Sequence, residues 1–268
     1  MKISGSTILI TGASGGIGGA IARQLAERGA SLILVNRDGD KLATFAAQLR
    51  AAGGKITPLV GDLAQPGVPA RVVHDALAQA GSIDILINCA GVQNFGFFAD
   101  ERAADTATLF NVNTIAPIAL VNAVLPHMLE KGSGQIVNLG SIFGSIGFPC
   151  FASYSASKFA LRGFSEALRR ELAGSGVGVT YVAPRFTKTA FNRSVVTRMA
   201  DALKMNQDEP ESVAASVIAT IERDDRERYL GWPEKLFVRI NSIFPRVVDP
   251  SLIRQVDLMR PFAAESSR

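Results

Sequence analysis

A tyrosine and a lysine stand four residues apart in Tyr154-Ser155-Ala156-Ser157-Lys158. On a helix that spacing is about one turn, so the phenol and the ammonium emerge on the same face. A free phenol has a reference pKa of about 10 and exchanges protons poorly near neutrality, and a nearby cation favours the phenolate. Lys158 can supply that cation, which would make Tyr154 a proton donor to an oxygen atom. The same spacing also occurs on ordinary amphipathic helices, so it gains weight only in company. Ser141 lies thirteen positions earlier, directly after Ile136-Val137-Asn138-Leu139-Gly140. That run reads as a strand carrying the hydroxyl at its carboxyl end, where it could hydrogen-bond a carbonyl oxygen and stabilise the charge developing there. His74 and His127 stand alone, no Gly-x-Ser-x-Gly elbow is present, and Cys89 and Cys150 lack ligand spacing. Neither a hydrolase triad nor a metal site is expected.

A second cluster lies near the start of the chain. Thr11-Gly12-Ala13-Ser14-Gly15-Gly16-Ile17-Gly18 follows a short apolar run and opens a helical pattern. Free backbone N–H groups and the positive dipole end of such a helix can receive a pyrophosphate. Gly12 suits a sharp turn, Gly16 the close approach of a phosphate, and Gly18 tight packing of helix on strand.

Both clusters need rigid elements to hold them. Apolar, β-branched runs at Thr7 to Thr11, Ser31 to Val35, Ile56 to Val60, Asp84 to Ile87, Gln135 to Leu139 and Val177 to Val182 read as strands, with a weaker one at Arg228 to Gly231. Their hydrophobicity is nearly continuous rather than alternating, as in parallel strands covered by helices on both faces. Helical segments lie between them, among them Gly18 to Glu27, Lys41 to Ala52 and Ser153 to Leu172. The expected fold is α/β, a doubly wound sheet whose ligands bind beyond the carboxyl ends of its strands.

Composition agrees with this. At 268 residues, 47% hydrophobic and with 25 glycines, the chain suits one large globular domain with many tight turns. Two cysteines without a disulfide pattern suggest a reducing, cytoplasmic setting. A net charge of +4 and a pI of about 9.3 describe a mildly basic surface, and no basic run interleaved with aromatics offers a nucleic-acid groove. The opening apolar run is too short for a signal peptide. The longest apolar run, near Ile115 to Leu125, contains Pro117 and Asn122 and falls short of the ~20 residues of a membrane span.

The spacing Gly-x-x-x-Gly-x-Gly differs from the common Gly-x-Gly-x-x-Gly fingerprint; together with Tyr-x-x-x-Lys it resembles the short-chain dehydrogenase/reductase family. The resemblance runs from Thr7 to about Thr189 and rests on several separated motifs. Asn88-Cys89-Ala90-Gly91 resembles the family's Asn-Asn-Ala-Gly element with Cys89 in place of the second Asn, and Asp62-Leu63 resembles the pair facing the adenine ring. Asn113, in Asn111-Val112-Asn113, matches the helix asparagine that holds a water in a proton relay, with Asn111 as the other candidate.

The resemblance implies a single Rossmann-like domain of about seven parallel strands. It also implies a catalytic tetrad of Asn113, Ser141, Tyr154 and Lys158, with Lys158 binding the nicotinamide ribose as well. Cofactor contacts are implied for Gly12, Ser14, Gly16, Ile17 and Gly18 at the turn, for Asp62 and Leu63, and for Asn88, Ala90 and Gly91. Tyr154 and Lys158, then Pro184, Thr187 and Thr189, would meet the nicotinamide end. A homodimer or homotetramer is implied too. A non-catalytic nucleotide sensor or scaffold is the chief rival, and an epimerase or dehydratase a weaker one.

Three features refine or break the pattern. Where an NAD-selective member usually carries an acid, the second strand ends in Asn36-Arg37. A guanidinium binds a 2′-phosphate by charge-assisted hydrogen bonds, so NADP(H) is favoured over NAD(H); the alternative is a solvated Arg37 at a helix start. Arg185 replaces the glycine after Pro184, either reaching a cofactor phosphate or substrate acid, or turning to solvent. Phe95, Phe97, Phe98, Phe143, Phe148 and Phe151 in the flanking loops suggest an apolar acyl or aromatic carbonyl substrate, or its alcohol, although each ring alone could be core. Cys150, just before Tyr154, either lines the pocket or is a buried thiol.

Residues 232–268 form an extension that the family core does not require. Pro233 and Pro245 bracket a helix with Leu236, Phe237, Ile240, Ile243 and Phe244 on one face and Lys235, Arg239 and Ser242 towards the other. Burial of the apolar face against this domain or a partner subunit ranks first, with peripheral membrane contact second.

Overall fold

Neighbouring strand residues project to opposite faces, and here both faces are greasy. The structure, a computed structural model, describes residues 1–266. The strands are Thr7–Thr11 (β1), Ser31–Asn36 (β2), Lys55–Val60 (β3), Ile85–Asn88 (β4), Gly134–Leu139 (β5), Val177–Ala183 (β6) and Glu227–Tyr229 (β7). They form one parallel sheet in the order β3-β2-β1-β4-β5-β6-β7. Helices Gly16–Glu27 (α1), Gly39–Ala51 (α2), Val68–Ala80 (α3), Ala103–Phe110 (α4), Ala116–Lys131 (α5), Ala152–Glu171 (α6), Ser194–Ala202 (α7) and Pro210–Arg223 (α8) connect them. Ile8 and Ile10 bury against Ile21, Leu25 and Val217 of α1 and α8. Leu9, between them, buries with Val72, Leu120 and Val124 of α3 and α5 on the other face. This is the doubly wound Rossmann-like fold expected, and its strand order reverses between β1 and β4, where such sheets open a crevice.

The boundaries differ where side chains intervene. β4 begins at Ile85, although Asp84 just before it still donates its N–H to the Thr7 carbonyl and accepts the Gln135 N–H, both at 2.9 Å, while its carboxylate accepts the Thr7 N–H at 2.7 Å and pairs with Lys131. β7 stops at Tyr229, before Gly231 with its φ of +90°. A π-helical turn, Asn111–Ile115, joins α4 to α5, so the helix runs unbroken from Ala103 to Lys131. By length and composition it could cross a membrane, whereas the shorter run was expected to fall short; half of its apolar window is buried in the protein. The extension forms two helices, Glu234–Ile243 (α9) and Pro245–Ser266 (α10). Pro245 opens the second helix as well as ending the first, since proline is tolerated in a first turn. Val238 and Val248 bury with Ile142, Ile146 and Tyr181, and Met259 and Ala263 with Phe95, Phe151 and Tyr154.

A buried polar chain holds the carboxyl edge together. Asn88 Nδ2 donates to Asn138 Oδ1 at 2.8 Å, Asn138 Nδ2 to Ser165 Oγ at 2.8 Å, and Ser165 Oγ to the Leu161 carbonyl at 2.7 Å. It links β4, β5 and α6 at the level from which the loops depart. Replacing Asn138 by Ala orphans the Asn88 amide and is expected to cost about 1–3 kcal/mol, measured by urea unfolding, with a parallel loss of activity.

Candidate active site

Beyond β1, β4, β5 and β6 lies a cleft of about 490 Å³. Its floor is set by the end of β1, where Thr11 Oγ1 accepts the N–H groups of Cys89 and Ala90, both at 3.1 Å. Gly12 turns with a φ of +66°, and a Cβ there would stand 2.8 Å from the Ala90 Cα. A Cβ on Gly18 would meet the Gly12 carbonyl at 2.3 Å, so helix and turn touch as expected. At Gly16 a Cβ would also stand 2.3 Å from Thr189 Cγ2. The first turn of α1 has no side-chain cap and no acid, leaving backbone donors and a positive dipole end facing the cleft. That donor set fits a dinucleotide pyrophosphate. Ser14 and Ile17 line the same wall.

At the end of β2, Asn36 Nδ2 donates to Ser14 Oγ at 2.6 Å and Asn36 Oδ1 accepts the Asp38 N–H at 3.0 Å. Arg37 is exposed on the cleft rim beside Lys41. Asp38 also lines the rim and was not singled out in the sequence. Its carboxylate caps α2, and the Lys41 N–H, at 3.0 Å, holds its pKa below the usual carboxylate range. Asp62 and Leu63 form the opposite wall. Asn88 lies behind the lining in its buried polar chain, while Ala90 and Gly91 reach the surface of the cleft.

The chemical end gathers on β5 and α6. Ser141 Oγ accepts the Phe143 N–H at 3.1 Å and stands beside the Tyr154 phenol, whose pKa it draws down. Lys158 Nζ donates to the Leu139 carbonyl at 3.0 Å and stands 5.9 Å from the centre of the Tyr154 ring. Burial raises the phenol to about 12, with the Ser141 hydrogen bond pulling it back. Burial likewise lowers Lys158 to about 8. Desolvation governs both groups, and on the phenol the Ser141 hydroxyl is the influence that opposes it. Asn113 is fully buried: its Oδ1 accepts the Val92 N–H at 2.9 Å, and its Nδ2 donates to the Val92 carbonyl at 2.8 Å and to Ser157 Oγ at 3.1 Å. The side chain clamps the loop to α6 and does not line the cleft; Asn111 is exposed.

The loop after β6 closes the site. Pro184, Thr187 and Thr189 line it, as do Phe186, Phe191 and Asn192, which sequence reasoning missed. Gln93 Nε2 donates to the Phe191 carbonyl and to Asn192 Oδ1, both at 3.0 Å, and Asn192 Nδ2 to the Thr187 carbonyl at 2.7 Å. Arg185 takes neither course considered for it. Its guanidinium grips Asp208 through Nε at 3.0 Å and Nη2 at 2.8 Å, and reaches Glu234 at the start of α9 at 3.0 Å. Of the six phenylalanines only Phe143 lines the cleft; it stacks on Phe148 at 4.4 Å. Phe95 and Phe151 are core, Phe97 is half-buried, and Phe98 is exposed. Cys150 is buried away from the cleft, and burial raises its thiol. Glu101, also missed, accepts hydrogen bonds from Ser153 and Thr106 at 2.6 Å and Asn94 at 2.8 Å. Burial works against its charge, but these donors win and hold the carboxyl below its ordinary value.

The family model for short chain dehydrogenases matches residues 6–200. The chain belongs to the short-chain dehydrogenase/reductase family. Ketoacyl reductase HetN of a Nostoc species is 35% identical over 253 residues, 92% of this chain and 88% of that protein. A short-chain dehydrogenase/reductase from Burkholderia phymatum in complex with NAD superposes with a TM-score of 0.84 at 26% identity, covering 92% of this chain and 96% of that one. A 3-oxoacyl (acyl-carrier-protein) reductase from Agrobacterium tumefaciens with NADP bound gives 0.78 at 26% identity, covering 85% and 93%. As a short-chain dehydrogenase/reductase the chain is an oxidoreductase acting between CH–OH and C=O with a nicotinamide cofactor.

The depressed Lys158 pKa has a consequence for stability. Folding favours the neutral amine, so the unfolded chain binds more protons between about pH 8 and the ordinary lysine value of 10.5. The Lys158 contribution should therefore become more favourable as pH rises through that window. Urea unfolding of the parent minus Lys158→Met across it measures the slope, which is expected to be positive.

Proposed function

We propose that the chain interconverts an apolar ketone and its alcohol with NADP(H), using Tyr154 as the acid and base. The observation that carries this reading is one continuous cleft. It has Ser141, Tyr154 and Lys158 at one end and the glycine turn with Arg37 and Lys41 at the other. A bound nicotinamide supplies the hydride in reduction and receives it in oxidation. In reduction Ser141 donates to the carbonyl oxygen, and Tyr154, protonated at neutral pH, passes its proton to the forming alkoxide. In oxidation the phenol first loses its proton to solvent in the cleft, and the phenolate then takes the alcohol's proton as the hydride leaves the carbon. Lys158, fixed by the Leu139 carbonyl, holds positive charge under the site, which supports a role in binding the ribose. Asn113 acts one step back, by positioning Val92 and Ser157.

NADP(H) is preferred on charge. Arg37 and Lys41 present cations at the rim, and the nearby Asp38 carboxylate is engaged by the α2 backbone and by Lys41 at 3.5 Å. Phe143, Phe186 and Phe191 at the chemical end support an apolar substrate. The names of the ketoacyl and 3-oxoacyl reductases point to an acyl chain.

One assay addresses the set: oxidation of NADPH and NADH against a panel of long-chain acyl, aromatic, short polar and sugar carbonyls. Tyr154→Phe should lose about 10²–10⁴-fold in turnover while still binding cofactor by fluorescence. Arg37→Ala should lower the NADPH-to-NADH preference about tenfold or more. Acyl or aromatic carbonyls should lead the panel; a lead for sugars would overturn the substrate class, and an NADH preference in the parent the cofactor assignment.

A further inference from the structure

Helix α9 packs on the protein by an unexpected side. Val238 is its buried residue. Asn241 Nδ2 donates to the Ser145 carbonyl at 2.9 Å, and Glu234 holds Arg185. Those three residues share one face at helical spacing. Of the apolar stripe read from the sequence, Ile240 is half-buried against the same cluster as Val238, while Leu236 and Phe237 are 42% and 46% exposed and Ile243 and Phe244 67% and 62%. Val247, past the break, extends it at 67%, and Trp232 begins it at 63%. Burial of the stripe within this chain, ranked first from the sequence, is met only in part, by Ile240; Val238, outside that stripe, is the buried residue, and Leu236, Phe237, Ile243 and Phe244 stay uncovered.

Along the border of that stripe run Lys235, Arg239 and Arg246. Lys235 lies 5.3 Å over the Trp232 ring. The acids of the extension are largely committed elsewhere: Glu234 to Arg185, Glu265 to Arg198 and Asp257 to Arg260. A set of exposed apolar side chains with aromatic members and a cationic margin matches the interface of a membrane. There apolar side chains enter the acyl boundary and Lys and Arg stems lie along it with their charges on anionic headgroups. A second copy seated isologously on this stripe would bring the two cationic margins together, which like-charge repulsion opposes.

We propose that the α9 stripe, from Trp232 to Val247, docks peripherally on anionic lipid surfaces. This inference is independent of the substrate reading. The test uses the full chain, with vesicles of phosphatidylcholine alone or mixed with phosphatidylglycerol. Trp232 is the sole tryptophan, so its emission reports directly. Expected is co-sedimentation with the anionic vesicles, a blue shift of Trp232, and loss of both in high salt. Arg239→Glu with Arg246→Glu should weaken binding at least about tenfold, and Ile243→Ser, Phe244→Ser and Val247→Ser together should abolish it. Both variants should keep carbonyl reduction in solution. Absence of vesicle binding by the parent, or equal binding to neutral and anionic vesicles unaffected by charge reversal, overturns the proposal. So does a parent dimer, seen by light scattering, that only the serine variant dissociates without any lipid effect.

Discussion

An ammonium and a phenol are held out of water at the carboxyl edge of the sheet, and burial pushes each towards its uncharged form. Most of the polar architecture nearby answers that constraint. The last carbonyl of β5 receives Lys158, and the hydroxyl just beyond it meets Tyr154. Asn113 spends both ends of its amide on the loop above and on the helix carrying the pair. A π turn holds an extra residue in the turn, and such features gather at functional sites; here it leaves Asn113 inside and Asn111 outside. Beneath them the Asn88–Asn138–Ser165 chain fixes the strands against the helix, so the reacting groups inherit the rigidity of the core.

How much of this was legible depended on whether a residue's role is local. The strands were readable because continuous apolar runs between helical patterns have few other uses. Gly12 and Gly18 were readable because their demand for space is set within a few residues. The further reason for Gly16 was not, since the side chain pressing on it comes from Thr189, far along the chain. The phenylalanines misled for the same reason: a loop ring lines a pocket or fills the core according to how distant segments fold over it. Phe186 and Phe191, which do line the cleft, sit in a segment whose course is set by Gln93 and Asn192, a long-range pairing without periodicity. Asp38 was overlooked because a helix-capping carboxylate and a ribose-binding one look alike in sequence. The tail helix was read correctly as amphipathic, but which face it would bury was decided by Val238, Asn241 and Glu234 together.

The departures from the family pattern each have a local answer. Cys89, in the place of an asparagine, is half-buried in the cleft lining, where desolvation raises its thiol to about 12 and Lys158 pulls the other way. Arg185, in the place of a glycine, borders the cleft, but its guanidinium lies along Gly231 and finds carboxylates on two separate segments.

That last arrangement bears on how the sequence can change over time. A largely buried guanidinium with two carboxylates is stable as a set, and removing one member leaves charge without a partner. Restoring glycine at position 185 would strand Asp208 and Glu234 side by side, and losing Glu234 would leave the cation half-matched. The three positions are therefore expected to drift together among descendants of this chain. The loop over the cofactor and the helix that begins the tail are then a single evolutionary unit, although more than forty residues of sequence lie between them.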